Sequence, residues 1–365
     1  MTDHVTTIAV GALSPYEVTV GRGVLTTVDR HIGPQAARVF LLFQSPLRTA
    51  AAALAGRISS SGREVVGFEI PDGEAGKTLS VVAEAWDLLG RATFTRTDTV
   101  VALGGGVATD VAGFIAATWL RGVPLITVPT TLLAMVDAAI GGKTGINTDA
   151  GKNLVGSFYP PKAVVCDVDV LSSQDPAAIA SGLAEAIKCG FIADPGILDI
   201  VWSAPDRVRD PSSPLLRDVI ERAIMVKANV VTADLHEHSV RAILNYGHTF
   251  AHAVERVEGY RWMHGYAVAV GMVFASHVAS IMGLCDSALP AAHRDILSLV
   301  GLPTSYYPRR LAELSEAMAV DKKNRGTVTR MVLLKEIGDP VVVESVPPRV
   351  LEQAYEVLCA PGGGL

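Results

Sequence analysis

Cysteine is scarce, with 4 in 365 residues, and Cys166, Cys189, Cys285 and Cys359 lie far apart with no CxxC spacing. That pattern excludes a zinc ribbon and a disulfide scaffold, and a reducing cytoplasm is the simplest home. Positive charge is also short: 31 Lys and Arg stand against 37 Asp and Glu, a formal net charge of −6. Phosphate-backbone binding needs a clustered positive field, so no nucleic-acid partner is expected, and an anionic ligand must be met by local Lys and Arg. The start Met1-Thr2-Asp3-His4 has no basic segment followed by an apolar run, so no signal peptide is expected. The most lipid-like stretch, Ala267 to Cys285, contains His277 and several Ala, Ser and Gly. It reads as a buried helix, and no membrane partner is expected.

What is present is an ordinary globular composition, 49% hydrophobic and 19% charged, on a chain long enough for two cores. The first half alternates β-rich runs with helical ones: Arg38–Phe43 then Leu47–Ile58, Glu64–Ile70 then Ser80–Leu89, Thr99–Leu103 then Val107–Leu120. Such alternation predicts βαβ units, a parallel sheet and helices on both faces. After Cys166 long helical periodicities take over, at Leu215–Ala233, His248–Glu258, Ala267–Gly283 and His293–Val300. A late β-like pair, Thr329–Leu334 and Pro340–Glu344, precedes a final helix. The fold class expected is α/β: an N-terminal Rossmann-like parallel-sheet domain over 1–170 and a mainly α-helical domain over 171–365. The Lys143–Asn153 segment is expected as a loop in the cleft between them.

Three local patterns carry chemistry. Strand Thr99–Leu103 runs into Gly104-Gly105-Gly106 and a helix beginning near Asp110, so the backbone can close on a pyrophosphate at a helix N-terminus. A tight βα connection is the plainer alternative. His248 and His252 stand four apart on one helix face, and His264 precedes another helix. Imidazoles with a carboxylate such as Glu185 suit Zn or Co, although such pairs are often surface histidines. On helix Leu215–Ala233 the apolar stripe Leu216, Ile220, Ala223, Ile224 continues to Lys227, an ammonium that must find an anion or snorkel out. With Lys143, Lys152, Asn153, Lys188, Arg241, Asn245 and Lys322-Lys323 it adds up to a basic pocket inside an acidic protein, suited to a phosphate- and carboxylate-bearing sugar. Glu185 and Lys188 also fit a simple i, i+3 ion pair.

The strings Gly141-Gly142-Lys143-Thr144-Gly145-Ile146-Asn147, Gly151-Lys152-Asn153, Gly182-Leu183-Ala184-Glu185-Ala186-Ile187-Lys188, Asn245-Tyr246-Gly247-His248-Thr249, His264-Gly265 and Asp321-Lys322-Lys323 closely resemble the 3-dehydroquinate synthase family of NAD- and metal-dependent cyclases. The resemblance spans nearly the whole chain. It implies that Glu185, His248 and His264 ligate Zn or Co, and that His252 contacts substrate or guides proton movement. It further implies that Glu74 and Lys77, in Asp72-Gly73-Glu74-Ala75-Gly76-Lys77-Thr78, contact NAD together with Gly104, Gly105, Gly106, Asp110, Thr130, Thr131, Lys143 and Lys152. Gln44 stands where many members carry an acidic residue for the adenosine ribose. Lys143, Lys152, Asn153, Lys188, Lys227, Arg241, Asn245 and Lys322 would bind an anionic sugar-phosphate substrate, and Asp137 would hold hydroxyls or cofactor. Arg121 resembles the arginine that reaches a phosphate pocket across a homodimer interface. Tyr266 departs from the Glu that commonly follows His-Gly, and its phenol could alter hydrogen bonding around the metal.

The implied reaction converts 3-deoxy-D-arabino-heptulosonate 7-phosphate into 3-dehydroquinate and phosphate. It proceeds by transient oxidation at C5, phosphate elimination, reduction and aldol closure. A cyclase of the aminodehydroquinate or epi-valiolone type is the near alternative. A metal-dependent polyol dehydrogenase, which would release NADH, is the distant one.

Overall fold

The computed structural model describes residues 4–11, 14–237, 239–306, 310–319 and 329–359. They form two compact units, Met1–Gln174 with Lys227–His236, and Asp175–Val226 with Glu237–Leu365.

The first unit contains β1 (Thr6–Val10), β2 (Tyr16–Gly21), β3 (Arg38–Gln44), α1 (Arg48–Ser60), β4 (Glu64–Ile70), α2 (Leu79–Arg91), β5 (Thr99–Gly104), α3 (Gly106–Thr118), β6 (Leu125–Pro129), β7 (Lys143–Thr148), β8 (Gly151–Phe158) and β9 (Ala163–Asp167). Seven strands form one sheet in the order β1-β2-β9-β6-β5-β3-β4, parallel except for the β1–β2 pair at one edge. The central strands are apolar throughout because both sheet faces are covered. Phe40, Leu42, Val100 and Ala102 pack with α2 and α3 on one face. The alternate residues Val39, Leu41, Val101 and Leu103 pack with α1 on the other.

Strand order reverses between β3 and β5, since the chain leaves β3 for β4 and then returns to β3's opposite side. Ligands of open α/β sheets bind at such a switch point, beyond the carboxyl ends of the strands. Here that edge carries Gln44, Gly104–Gly106 and Thr130.

Two local expectations differ from the structure. The α3 helix stops at Thr118 rather than Leu120, because Leu120 and Arg121 adopt left-handed backbone with φ of 48° and 65°. The Lys143–Asn153 segment is not a loop: β7 and β8 form an antiparallel hairpin, pairing Thr144 with Ser157 and Gly145 with Gly156. Its glycines allow a close approach, since a Cβ on Gly156 would lie 2.0 Å from the Thr144 carbonyl oxygen.

The second unit contains α4 (Pro176–Ile192), α5 (Pro195–Ser203), α6 (Pro205–Val208), the first part of α7 (Pro214–Ala233), α8 (His248–Val257), α9 (His264–Ile281), α10 (Ala288–Leu299), α11 (Leu311–Ala319), β10 (Thr329–Glu336), β11 (Asp339–Val346) and α12 (Pro348–Cys359). The lipid-like stretch lies largely in α9. That helix is long and apolar enough to cross a membrane, but 78% of its apolar window is buried, packed by α4, α8, α10, α12 and β10.

Candidate active site

Two glycine crossings assemble the second unit's polar centre. A Cβ on Gly265 would lie 1.9 Å from the Ser181 carbonyl oxygen, so α9 and α4 touch backbone to backbone. The Ser181 hydroxyl accepts the Gly265 N–H at 3.0 Å. A Cβ on Gly271 would lie 2.1 Å from the Gly247 carbonyl oxygen, bringing the start of α8 equally close to α9. These contacts put Glu185 of α4, His248 of α8 and His264 of α9 around one point, with one ligand atom from each within 4.8 Å of the others.

The Glu185 Oε1 atom lies 3.4 Å from both imidazole Nε2 atoms and is buried with no hydrogen-bond partner. Lys188 donates to the other oxygen, Oε2. An orphaned carboxylate oxygen facing two imidazole nitrogens fits a divalent cation, because one ion would satisfy all three atoms. The remaining imidazole nitrogens are oriented: His248 Nδ1 is 3.1 Å from the Tyr246 carbonyl oxygen, and His264 Nδ1 is 3.3 Å from Glu255 Oε1. Burial alone raises the Glu185 carboxyl, but Lys188, His248 and His264 together hold it well below the usual carboxylate range. Burial and the nearby Lys188 push His248 down to about 4. His264 moves the other way: burial works against its charge, and contacts with Glu185 and Glu255 still lift it to about 10. Proximity to a second carboxylate separates the two rings.

His252 lies beside the trio, its ring 5.4 Å from that of His248. Arg241 is buried on the turn Val240–Asn245 that leads into α8, and Asn245 donates to Glu237 at 2.6 Å. Tyr266 has no hydrogen bond to the trio among the described residues, and Glu255 is the group that holds His264. Sequence reasoning missed Glu255, although His248, His252 and Glu255 at i, i+4 and i+7 share one face of α8.

In the first unit the switch point is closely packed. A Cβ on Gly104 would meet Ala108 Cβ at 2.5 Å and Gln44 Oε1 at 2.7 Å. Gln44 is buried; its Oε1 accepts the Gly105 N–H at 2.8 Å and its Nε2 donates to Asp72 at 2.7 Å. Thr130 donates its N–H to the Gly104 carbonyl, and Thr131 Oγ1 accepts from Ala134. This Cβ-free strand-to-helix turn fits a dinucleotide pyrophosphate.

Below it, Lys77 donates to Asp110 at 2.6 Å and also to Asn153. Burial pushes the Asp110 carboxyl up against the pull of Lys77, with Asp137 and Glu74 adding to the rise. Glu74 accepts from Asn147 at 2.6 Å and from Lys152 at 3.1 Å, contacts that outweigh burial and lower its carboxyl. Lys227 is buried, and the anion it finds is Asp137, whose carboxylate and carbonyl both accept from Nζ. Asp137 sits on a π-helical turn, Ala134–Ala138, a distortion frequent at functional sites. Two other predicted residues are exposed. Lys143 is exposed at the start of β7, and Arg121 is exposed on its left-handed turn. Lys322 lies outside the described residues.

Models of the 3-dehydroquinate synthase N-terminal and C-terminal regions match residues 67–181 and 182–324. The chain is 50% identical to a 3-dehydroquinate synthase of Thermobifida fusca (strain YX) over 97% of this chain and 96% of that one. The chain belongs to the 3-dehydroquinate synthase family. A Streptomyces coelicolor member is 49% identical, covering 97% of this chain and 99% of its own. Among solved structures, a 2-epi-5-epi-valiolone synthase from Streptomyces hygroscopicus subsp. jinggangensis 5008, with NAD+ and Zn2+ bound, is 28% identical with a TM-score of 0.86. That match covers 94% of this chain and 96% of that one. A 2-deoxy-scyllo-inosose synthase complexed with carbaglucose-6-phosphate, NAD+ and Co2+ is 27% identical with a TM-score of 0.83, covering 96% of this chain and 100% of that one. The family's fold is therefore the observed one, a parallel-sheet unit followed by a mostly helical part.

Proposed function

We propose that this chain is a 3-dehydroquinate synthase, converting 3-deoxy-D-arabino-heptulosonate 7-phosphate into 3-dehydroquinate and phosphate. The observation that carries this reading is the orphaned Glu185 Oε1 between His248 and His264, beside the buried Lys188, in a chain half identical to enzymes of that name. When bound, NAD supplies a hydride acceptor that returns its hydride within the cycle, and Zn or Co supplies Lewis acidity.

The chain's own residues do the rest. Glu185, His248 and His264 hold the ion. Gly104–Gly106, Glu74, Lys77, Asp110, Thr130 and Thr131 hold the dinucleotide, with Gln44 at the ribose end. Asp72, bonded to Gln44, supplies the negative charge that Gln44 lacks, which favours NAD over NADP. Lys143, Lys152, Asn153, Lys188, Lys227, Arg241, Asn245 and Lys322 bind the substrate's carboxylate, hydroxyls and phosphate. Lys227 orients Asp137 toward hydroxyls, and His252 guides a proton. The phosphate so held accepts the C6 proton itself, which needs orientation more than a dedicated base. Residues 1–170 carry the nucleotide role and 171–365 the metal role. Arg121 completes a partner's phosphate pocket in a cytoplasmic homodimer.

The test is incubation with the heptulosonate phosphate, NAD+ and Zn2+ or Co2+. Phosphate and carbocycle should form together while NADH does not accumulate. Accumulating NADH would mean a dehydrogenase, and turnover only of a different sugar phosphate would mean a sister cyclase.

A further inference from the structure

Asn147 makes three tethers at the β7–β8 turn. Its backbone N–H donates to the Lys77 carbonyl at 2.8 Å. Its side-chain Nδ2 donates to Glu74 Oε2 at 2.6 Å, and its Oδ1 accepts the Asn153 N–H at 3.1 Å. Asn153 is in left-handed backbone, φ 54°, a conformation that asparagine adopts more readily than most residues with a Cβ. In that conformation its side chain accepts from the buried Lys77 Nζ. Beside the direct Lys152–Glu74 contact, Asn147 thus ties the hairpin turn to the Gly73–Lys77 segment at three points: the Lys77 carbonyl, Glu74 and, through Asn153, the Lys77 ammonium.

We infer that Asn147 is a positioning residue that presents Glu74 and Lys77 of the nucleotide site, with the adjoining substrate residue Asn153, as one preassembled rim. The inference rests on the dinucleotide reading of the first unit. Glu74 needs a donor on the side away from Lys152, and Asn153 needs an acceptor for its N–H. One amide side chain meets both needs, and an aspartate or alanine meets one or neither.

The test separates the two bonds. Asn147→Ala loses both side-chain contacts, and NAD+ affinity measured by calorimetry should fall ~10-fold, the scale of one hydrogen bond to a charged group. Substrate KM should rise with kcat nearly unchanged, and the thermal midpoint should stay at the parent value. Amide exchange at 148–153 should accelerate by a similar factor. Asn147→Asp keeps the acceptor for Asn153 but sets a carboxylate against Glu74. Combining it with Glu74→Gln restores a donor–acceptor pair with reversed polarity and should recover the slow amide exchange at 148–153 that Asn147→Asp alone loses, exchange being the readout because Glu74 itself contacts the dinucleotide. NAD+ affinity and exchange in Asn147→Ala both within two-fold of the parent would overturn the proposal, as would absence of rescue in the double variant. If the parent itself binds no NAD+, the dinucleotide reading fails; exchange at 148–153 then decides the tether alone, unchanged exchange overturning it.

Discussion

At the scale of single residues, the second unit's centre depends on one carboxylate doing two things. Glu185 faces two imidazoles with Oε1 and accepts from Lys188 with Oε2. Glu185→Gln should lose bound Zn or Co and turnover together, by ~100-fold or more for removing one of three protein ligands. It should also destabilise the second unit by ~3 kcal/mol, because Lys188 stays buried without its partner. Metal analysis of the purified variant checks the first point, and full metal content would refute the ligand role. In the first unit, Lys227→Ala should leave the fold intact and cut turnover ~100-fold, because Asp137 loses the ammonium that orients it. Steady-state kinetics beside circular dichroism read this, and near-normal turnover would remove Lys227 from the machinery. Much of this was legible in the sequence, since a lysine continuing an apolar stripe and histidines at helical spacing announce unusual chemistry. Glu255 and Asn147 were not legible, because each acts through bonds to groups that only the folded chain brings near.

At the scale of elements, the βα alternation was readable because strands covered on both faces are written as unbroken apolar runs, as in Val39-Phe40-Leu41-Leu42-Phe43. The β7–β8 hairpin was hidden for the opposite reason: Gly-Lys-Asn chemistry gives no two-residue apolar alternation, and its glycines looked like loop punctuation. The helix crossings were equally silent, since a glycine in a helix says only that something comes close. Gly265→Ala should force α9 away from α4, because its Cβ would sit 1.9 Å from the Ser181 carbonyl oxygen. His264 would move with α9, so metal affinity should drop ~10-fold or more while helix content is kept, as for loss of a group that orients a metal ligand. Gly56→Ala is the control. Nothing lies within 4 Å of a Cβ there, and the helix α1 should gain about 0.5–1 kcal/mol. Equal metal affinity in the Gly265 variant and the control would show that the crossing does not set the ligand geometry.

At the scale of the whole molecule, net charge and composition told what the chain avoids, but not which buried groups limit its stability. The end of α7 illustrates the gap: its helical period was plain, yet nothing in it signalled that Lys227–His236 group with the first unit. His293 is a second case. It is fully buried in α10, stacks on Phe191 at 3.7 Å, and sits 2.8 Å from both the Tyr246 hydroxyl and the Leu289 carbonyl oxygen. Two such partners fit a neutral ring that donates from Nδ1 to the carbonyl and accepts at Nε2 from the phenol. Burial pushes its pKa down to about 3, against an ordinary value of 6.5. The unfolded chain therefore binds a proton below pH 6.5 that the folded chain refuses. Stability from this ring is complete above that pH and is lost as the pH falls through the window toward 3, at up to about 1.4 kcal/mol per pH unit. Equilibrium unfolding across that window should show the loss. His293→Leu should be less stable at neutral pH, because the Tyr246 hydroxyl loses its nearer partner and keeps only the Met272 carbonyl oxygen at 3.5 Å, but its acid limb should be shallower by close to one proton. An identical acid slope in the two proteins would mean that other groups, not this imidazole, set the acid limit.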